Sequence, residues 1–169
     1  YHSDIVKQKK WLKLYRPLMF KFLKSVDHIV ATSPNYLKTS DVLVKYKDKV
    51  SVIPIGLDKR TYPLVIPERL DYWRERFGEK FFLFVGVIRY YKGLHILIEA
   101  ARNSDYPIII VGAGQIENSL KEQAKKLGVN NIHFVGRISD SEKVVLLELS
   151  YAVIFPSHLR SEAFGISLL

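Results

Sequence analysis

From Phe81 onward, short and almost wholly apolar runs alternate with helical runs of ten or more residues, and this alternation constrains the fold more than any other feature. Phe81–Val87, Pro107–Val111, Asn131–Val135 and Tyr151–Phe155 read as strands. Lys92–Arg102, Gln115–Leu127 (stopped by Gly128) and Ser139–Leu149 read as the helices between them, and a last helix is expected to begin near Phe164. A strand that is apolar at consecutive positions is covered on both faces, and an intervening helix supplies the crossover that parallel pairing needs. The expected class is α/β, a Rossmann-like parallel sheet with right-handed crossovers.

The first sixty residues have a different character. Apolar residues at Trp11, Leu12, Leu14, Tyr15, Leu18, Met19, Phe22, Leu23 and Val26 recur near a 3.6-residue period, with six lysines and arginines on the opposite side. Pro17 falls inside this pattern, so a kink or a pair of helices is expected there. His28–Thr32 and Val50–Pro54 read as short strands, and Ser33-Pro34 as a helix cap followed by proline at the first helical position. Gly56, Asp58, Pro63 and Pro67 make residues 54–67 the linker candidate.

Of the 169 residues, 48% are hydrophobic, enough for a packed core and too many for a disordered chain. The net charge of +9 is concentrated at one end: residues 1–60 carry 13 basic and 5 acidic side chains, residues 61–169 carry 13 and 12. Cysteine is absent, which excludes disulfides and thiolate chemistry within this sequence. No apolar run approaches the roughly 18–20 residues of a membrane-spanning helix. The chain opens on Tyr1-His2-Ser3-Asp4 without the pattern of a signal peptide and stops inside an expected helical turn, so it reads as an internal piece of something longer.

In an open parallel sheet, ligands bind beyond the carboxyl ends of the strands. Four loops stand there. Gly86–Gly93 sets Arg89 and Lys92 before a helix start, where backbone N–H groups favour an anion, although two solvated charges on a loop would look the same. Gly112-Ala113-Gly114 is like the opening of a dinucleotide fingerprint, but Glu117 stands at the third glycine position and no acid follows about twenty residues on. A tight strand-to-helix turn explains it better. Gly136-Arg137-Ile138-Ser139 ends in a helix cap. In Pro156–Ser167 a carboxylate, Glu162, precedes Gly165, whose following N–H groups form an anion cradle; Glu162 also reads as a plain capping carboxylate. No Asp-x-Asp, Gly-Lys-Ser/Thr phosphate loop, His-Glu-x-x-His or Gly-x-Ser-x-Gly occurs.

The set Phe84-Val85-Gly86, Tyr91-Lys92-Gly93, Val111–Gly114, Phe134-Val135-Gly136, Phe155-Pro156-Ser157 and Glu162-Ala163-Phe164-Gly165 resembles, in order and spacing, the C-terminal domain of family 4 glycosyltransferases. These are retaining, metal-independent enzymes of the GT-B architecture. Val26–Ser33 and Val50–Asp58 resemble the tail of that family's N-terminal domain and its exit into the hinge, and His2–Val6 resembles bacterial sugar transferases of O-antigen and polysaccharide assembly. The resemblance implies that residues 1–60 are the tail of the N-terminal, acceptor-side domain and 61–169 the front half of the nucleotide-sugar-binding domain.

By the same resemblance, Glu162 and His2 are the catalytic candidates, Glu162 beside the transferred sugar and His2 near the sugar and leaving group. Phe164, Gly165 and Ile166 would contact the sugar. Ser167 and Leu168 would offer N–H groups to the phosphates, and Lys92 would bind the diphosphate. Arg137 and Ile138 would lie against the nucleobase, with Gly86 and Gly112 completing the donor site. Where the family usually has arginine after the first loop's glycine this chain has Val87, and Arg89 is expected to reach the same phosphate.

The implied reaction moves a hexose, with mannose favoured, from a GDP- or UDP-sugar to a glycan or lipid-linked acceptor, without cofactor or metal. The expected place is cytoplasmic and peripheral to the inner face of the plasma membrane. The basic stripe at 7–24 has two readings, a helix covering the N-terminal domain or a dock for an anionic membrane. Nucleic acid is not an expected partner, since no stacking or base-reading pattern accompanies the charge. The competing reading of the whole chain is a nucleotide-binding piece or membrane-docking module without turnover of its own.

Overall fold

The computed structural model describes residue 4 and residues 9–159, 161–162 and 165–168. They divide into two compact units. The first holds the described residues up to Leu57 together with those of Leu159–Ser167, and the second holds Asp58–His158 and Leu168. Sequence order alone assigned 159–167 to the C-terminal part and put the boundary after residue 60.

In the first unit, α1 spans Lys9–Ser25 and runs through Pro17 as one helix, so of the two expectations, a kink or a pair of helices, the pair is not found. Proline at 17 removes the donor that the Lys13 carbonyl would have used. Because Pro17 is exposed, water can serve that carbonyl instead. The helix ends where Lys49 Nζ donates to the carbonyls of Lys24 (3.1 Å) and Val26 (2.7 Å), a cation placed on otherwise unmet C-terminal acceptors. β1 (Ile29–Ala31) pairs in parallel with β2 (Val50–Val52), Ile29 opposite Val50. Between them α2 (Pro34–Thr39) begins as its sequence prescribes, with Ser33 Oγ accepting from Tyr36 N at 3.3 Å and Pro34 in the first turn. Met19, Leu23, Ile29, Ala31, Tyr36 and Leu43 form its core. Buried Ser40 donates to the Asp4 carboxylate at 2.9 Å and accepts from Leu43 N at 3.2 Å.

The second unit opens with a helix that the linker reading passed over, α3 at Pro67–Phe77. Its signals were present: Pro67 and Glu68 in the first turn, Arg74 and Arg76 in the last, Gly78 as the stop, and Leu70, Trp73 and Phe77 at helical spacing. β3 (Phe82–Val85), α4 (Leu94–Ala101), β4 (Ile108–Val111), α5 (Glu117–Lys126), β5 (Ile132–Gly136), α6 (Asp140–Leu149) and β6 (Ala152–Val153) follow. The four strands are parallel, in the order β5-β4-β3-β6. The expected start of α4 at Lys92 moves to Leu94, because a 3-10 turn at Tyr90–Lys92 and left-handed Gly93 intervene. The helix expected near Phe164 reduces, among the described residues, to a 3-10 turn at Ile166–Leu168; Phe164 itself lies outside them.

Burial on both faces shows in how alternate strand residues divide. Phe84, Ile108 and Ile110 pack with Leu94, Ile98 and Leu120 under α4 and α5. Leu83, Ile109 and Val111 pack on the other face with Trp73, Phe77, Val145 and Leu146 of α3 and α6. An ion pair between Arg69 and Glu142 ties α3 to α6 at the edge of that layer. Fully burying a leucine or phenylalanine of this kind contributes about 1.5–3 kcal/mol.

Candidate functional site

Strand order locates the place to look. Chain progress from β3 through β4 to β5 runs one way across the sheet, and β6 then returns to the other side of β3. Adjacent loops diverge at such a switch point and leave a crevice beyond the carboxyl ends. Here those loops are held in close register. Gly93 (φ 73°) lies so near the loop after β6 that a Cβ on it would sit 2.0 Å from Pro156 O, and His158 N donates to Tyr91 O at 3.3 Å.

The loops after β3 and β4 are locked together in the same way. Ile88 N donates to Ala113 O at 3.0 Å, Gly86 N to Val111 O at 3.0 Å, and Gly112 N to Gly136 O at 2.7 Å. A Cβ on Gly112 (φ 129°) would sit 2.0 Å from Gly86 O, and one on Gly114 would sit 1.9 Å from Ile88 O. The glycines of Gly-Ala-Gly are thus required by backbone-to-backbone contact. The reading of this segment as a tight turn holds.

Beyond the ends of β3, β4 and β5 opens a cleft of about 290 Å³. Gly86, Gly112, Arg137 and Ile138, four of the residues singled out from sequence, line it, with Val87, Ala113 and Lys143. Val87, the residue in place of the family's arginine, forms apolar wall. Lys143 was missed by the sequence reading; its signal was its position on the first turn of α6, three residues after Asp140, with which it forms an ion pair. A larger groove of about 580 Å³ lies between the α4–β4 and α5–β5 loops at the opposite end of the sheet. Topology favours the smaller one.

Lys92 stands beside this cleft. Its side chain is buried, with Nζ 5.2 Å from the ring centre of Phe155 and 5.8 Å from that of Tyr91. Its Cε lies 3.9 Å from where a Cβ on Gly86 would be. An ammonium over an aromatic face is attracted by the negative potential of the ring. Arg89 is exposed and does not line the cleft; its carbonyl accepts from Lys92 N at 3.0 Å. On the far side of the same loop, Tyr90 stacks on His95 (5.0 Å between ring centres), and His158 packs edge-on against both. Burial, and secondarily the charge of His158, lowers the pKa of His95 below the usual histidine value.

Glu162, Gly165, Ile166 and Ser167 belong to the first unit, so the cleft of the second is built without them. Glu162 is half-buried and its N–H donates to Leu159 O at 3.0 Å. Gly165 is buried with φ 74°, and Ile166, Ser167 and Leu168 form an exposed 3-10 turn. His2 and Phe164 lie outside the described residues. Among the described residues no helix is long and apolar enough to cross a membrane.

Comparison with known proteins agrees with this architecture. The family described as glycosyl transferases group 1 matches residues 70–169. The D-rhamnosyltransferase WbpZ of Pseudomonas aeruginosa is 63% identical over the whole chain and 44% of its own length. The O-antigen chain mannosyltransferase C of Escherichia coli is 53% identical over the whole chain and 45% of its own. The chain thus spans a little under half the length of these relatives. Among solved structures, Anabaena HepE in complex with UDP-glucose superposes with a TM-score of 0.70 at 20% identity, over 90% of this chain and 45% of that one. The parallel α/β architecture is that of GT-B glycosyltransferases, and with its matched residues reaching from the fourth residue of α3 to Leu169 the chain belongs to the glycosyl transferases group 1 family.

Proposed function

We propose that this chain carries the donor-binding part of a retaining family 4 glycosyltransferase. It would transfer a hexose from a nucleoside diphosphate sugar to a glycan or lipid-linked acceptor in polysaccharide or cell-envelope assembly. The observation that carries the reading is the cleft at the carboxyl ends of β3–β5, floored by Gly86 and Gly112, edged by Arg137 and Ile138, with buried Lys92 beside it. Mannose is the favoured sugar. Mannose and D-rhamnose share the manno configuration, and the two relatives are named for these sugars. HepE, solved with UDP-glucose, supports a nucleotide sugar as donor.

In such a transfer the glycosidic bond to the diphosphate breaks through an oxocarbenium-like state, and negative charge grows on the leaving phosphate. Stabilising that charge with groups already in place is the main catalytic task. Lys92 is suited to it, because a fixed, poorly hydrated ammonium needs no reorganisation as charge develops. Arg89 and the N–H groups of Gly165 to Leu168 are its proposed partners, and His2 and Glu162 are assigned to the sugar. With no side chain proposed as nucleophile, the acceptor attacks on the face the diphosphate leaves, and the leaving phosphate takes the acceptor proton. Side-chain cations do the work that a metal does in other transferases.

The test is transfer by the full-length gene product from GDP- and UDP-sugars. Lys92→Met is expected to lower kcat/KM by roughly 10²–10³. NMR of the product should show the donor's anomeric configuration; an inverted product, or a glycosyl group trapped on Glu162, refutes the mechanism.

The membrane reading of α1 is supported by exposure. Trp11, Leu14, Leu18 and Phe22 are 62–76% exposed, and no acidic residue occurs from Lys9 to Ser25. An apolar ridge edged by lysines fits the interface of an anionic bilayer. It would hold the enzyme at the inner face of the plasma membrane, beside a lipid-linked acceptor. Co-sedimentation with phosphatidylglycerol vesicles that weakens with salt is expected; binding indifferent to lipid charge counts against the role.

A further inference from the structure

The groove of about 580 Å³ at the amino-terminal end of the sheet takes no part in the donor chemistry, yet its walls are firmly built. They are the loops that follow α4 and α5, Ala101–Asp105 and Leu127–Asn131. Asn131 fixes one to the other, its Nδ2 donating to the carbonyls of Ala101 (3.3 Å), Ser104 (2.6 Å) and Tyr106 (3.1 Å). Asn103, Asp105 and Asn130 line the groove as well, and among the described residues their side chains make no hydrogen bond or ion pair. Tyr106 stands beside it, 52% exposed, with its N–H donating to Ser104 Oγ at 3.3 Å. Its ring meets that of Phe82 edge-on at 5.8 Å between centres, and Phe82 meets Tyr151, 70% exposed, in the same way. The three rings stand at the amino ends of β4, β3 and β6, which are neighbours in the sheet, so a row of tyrosine surface continues the groove.

The chemistry of this lining narrows the ligand. Both loops leave the carboxyl ends of helices, where unmet carbonyls and the helix dipole repel an anion. The cation among the lining residues, Arg102, already faces Glu99 at 3.8 Å. A divalent metal needs more oxygen charge than the single lining carboxylate of Asp105 supplies. What fits is neutral and rich in hydroxyls. A hydroxyl both donates and accepts, as do the amides of Asn103 and Asn130, and the two oxygens of Asp105 can accept from two adjacent hydroxyls. The C–H face of a pyranose ring is apolar and suits an exposed tyrosine, which joins an apolar body to a polar tip. We infer that the groove and the tyrosine row beside it bind a neutral glycan, a stretch of polysaccharide already made.

The inference rests on the proposed transfer to a glycan only for the identity of that polymer. β4 is 4 residues long, so its two ends lie about 13 Å apart. The groove at one end therefore does not touch the reacting groups in the cleft at the other. It holds the acceptor by sugars well behind the growing end. Such a tether raises the effective concentration of that end at the cleft. Long acceptors gain from it, and short ones, which cannot span both places, do not.

The experiment uses the full-length gene product and α-linked manno-oligosaccharides of increasing length. Calorimetry should show saturable binding of the longer ones. Asp105→Ala should weaken it about tenfold, through loss of a charged hydrogen-bond acceptor. Tyr106→Ala should weaken it roughly fivefold, through loss of the ring surface. Asp105 is exposed, so its variant should melt with the wild type. In transfer assays, the ratio of kcat/KM for a long acceptor to that for a disaccharide should fall about tenfold in Asp105→Ala. Three results overturn the inference: a wild type that binds no oligosaccharide, the two variants binding it as tightly as the wild type, or a length ratio that does not move. A wild type that binds the oligosaccharide but transfers no sugar from any GDP- or UDP-sugar sinks the proposed transfer and leaves the groove standing. Normal transfer with variants unaltered in glycan affinity sinks the groove alone.

Discussion

Two helices of this chain, α1 in the first unit and α4 in the second, use apolar residues in opposite ways. In eight residues α4 buries Leu94, Leu97, Ile98 and Ala101 against the sheet. In seventeen, α1 buries Met19 and Leu23 while Trp11, Leu14, Leu18 and Phe22 remain exposed. Helical periodicity is equally clear in both sequences. What differs is the surface available to cover it: α4 lies on a four-stranded sheet with apolar side chains on both faces, and α1 on a unit whose sheet has two short strands. Periodicity therefore says that a helix has an apolar face, and the neighbouring layer decides how much of that face is buried.

That contrast can be broken in graded steps. The largest effect is expected in the second unit, where Leu83→Ala should cost about 3–5 kcal/mol, because Leu83 is fully buried between packed layers that cannot collapse around the void. Urea unfolding should show the loss in the transition of the second unit, with that of the first unmoved. Gly93→Ala should cost about 3 kcal/mol in the same transition, from a left-handed backbone combined with the approach of Pro156 O. Leu23→Ala tests the smaller core and should cost about 2–3 kcal/mol, read in the transition of the first unit. Equal losses for Leu83 and Leu23, in one shared transition, would show that the two units do not differ in the way proposed.

A smaller effect concerns acid. His133 packs against Phe77 at 5.1 Å between ring centres, and burial, with the nearby charge of Arg76 second, holds its pKa below the usual histidine value. The unfolded chain then binds a proton more readily than the folded one around and below pH 6.5, the ordinary histidine value. The stabilising contribution is thus whole above that pH and is lost as pH falls through the region. The melting temperature of the second unit should fall on acidification, and His133→Phe should flatten that dependence. The smallest effect is expected at the exposed ridge. Leu18→Ser should change stability by no more than about 0.5 kcal/mol. If α1 docks on a bilayer, the same substitution should still weaken vesicle binding, which separates a docking face from an inert one.

The parts of the site that could be read from sequence are those where the backbone does the work. Gly112 and Gly114 follow a strand and permit close approach of the neighbouring loop, a requirement that leaves glycine at fixed points in the sequence. Arg137 and Ile138 were legible because they occupy the loop of a third strand. Lys143 was not, since a lysine on the first turn of a helix is usually a solvated charge, and only the position of α6 relative to the cleft distinguishes it. α3 was hidden by Pro63 and Pro67, which read as linker although Pro67 starts a helix. Pro17 did not divide its helix in two, as an exposed carbonyl can lose its partner to water at little cost.

What the sequence by itself determined was the kind of each element and the two-faced burial of the second sheet, because both follow from local periodicity and from which side chains water excludes. The order β5-β4-β3-β6 was decided only by the tertiary structure, since parallel pairing of distant strands depends on packing that no single segment contains. That order brings the loop carrying Lys92 against the loop after β6. The exposure of one ridge of α1 was decided in the same way, by which surfaces were available to cover it.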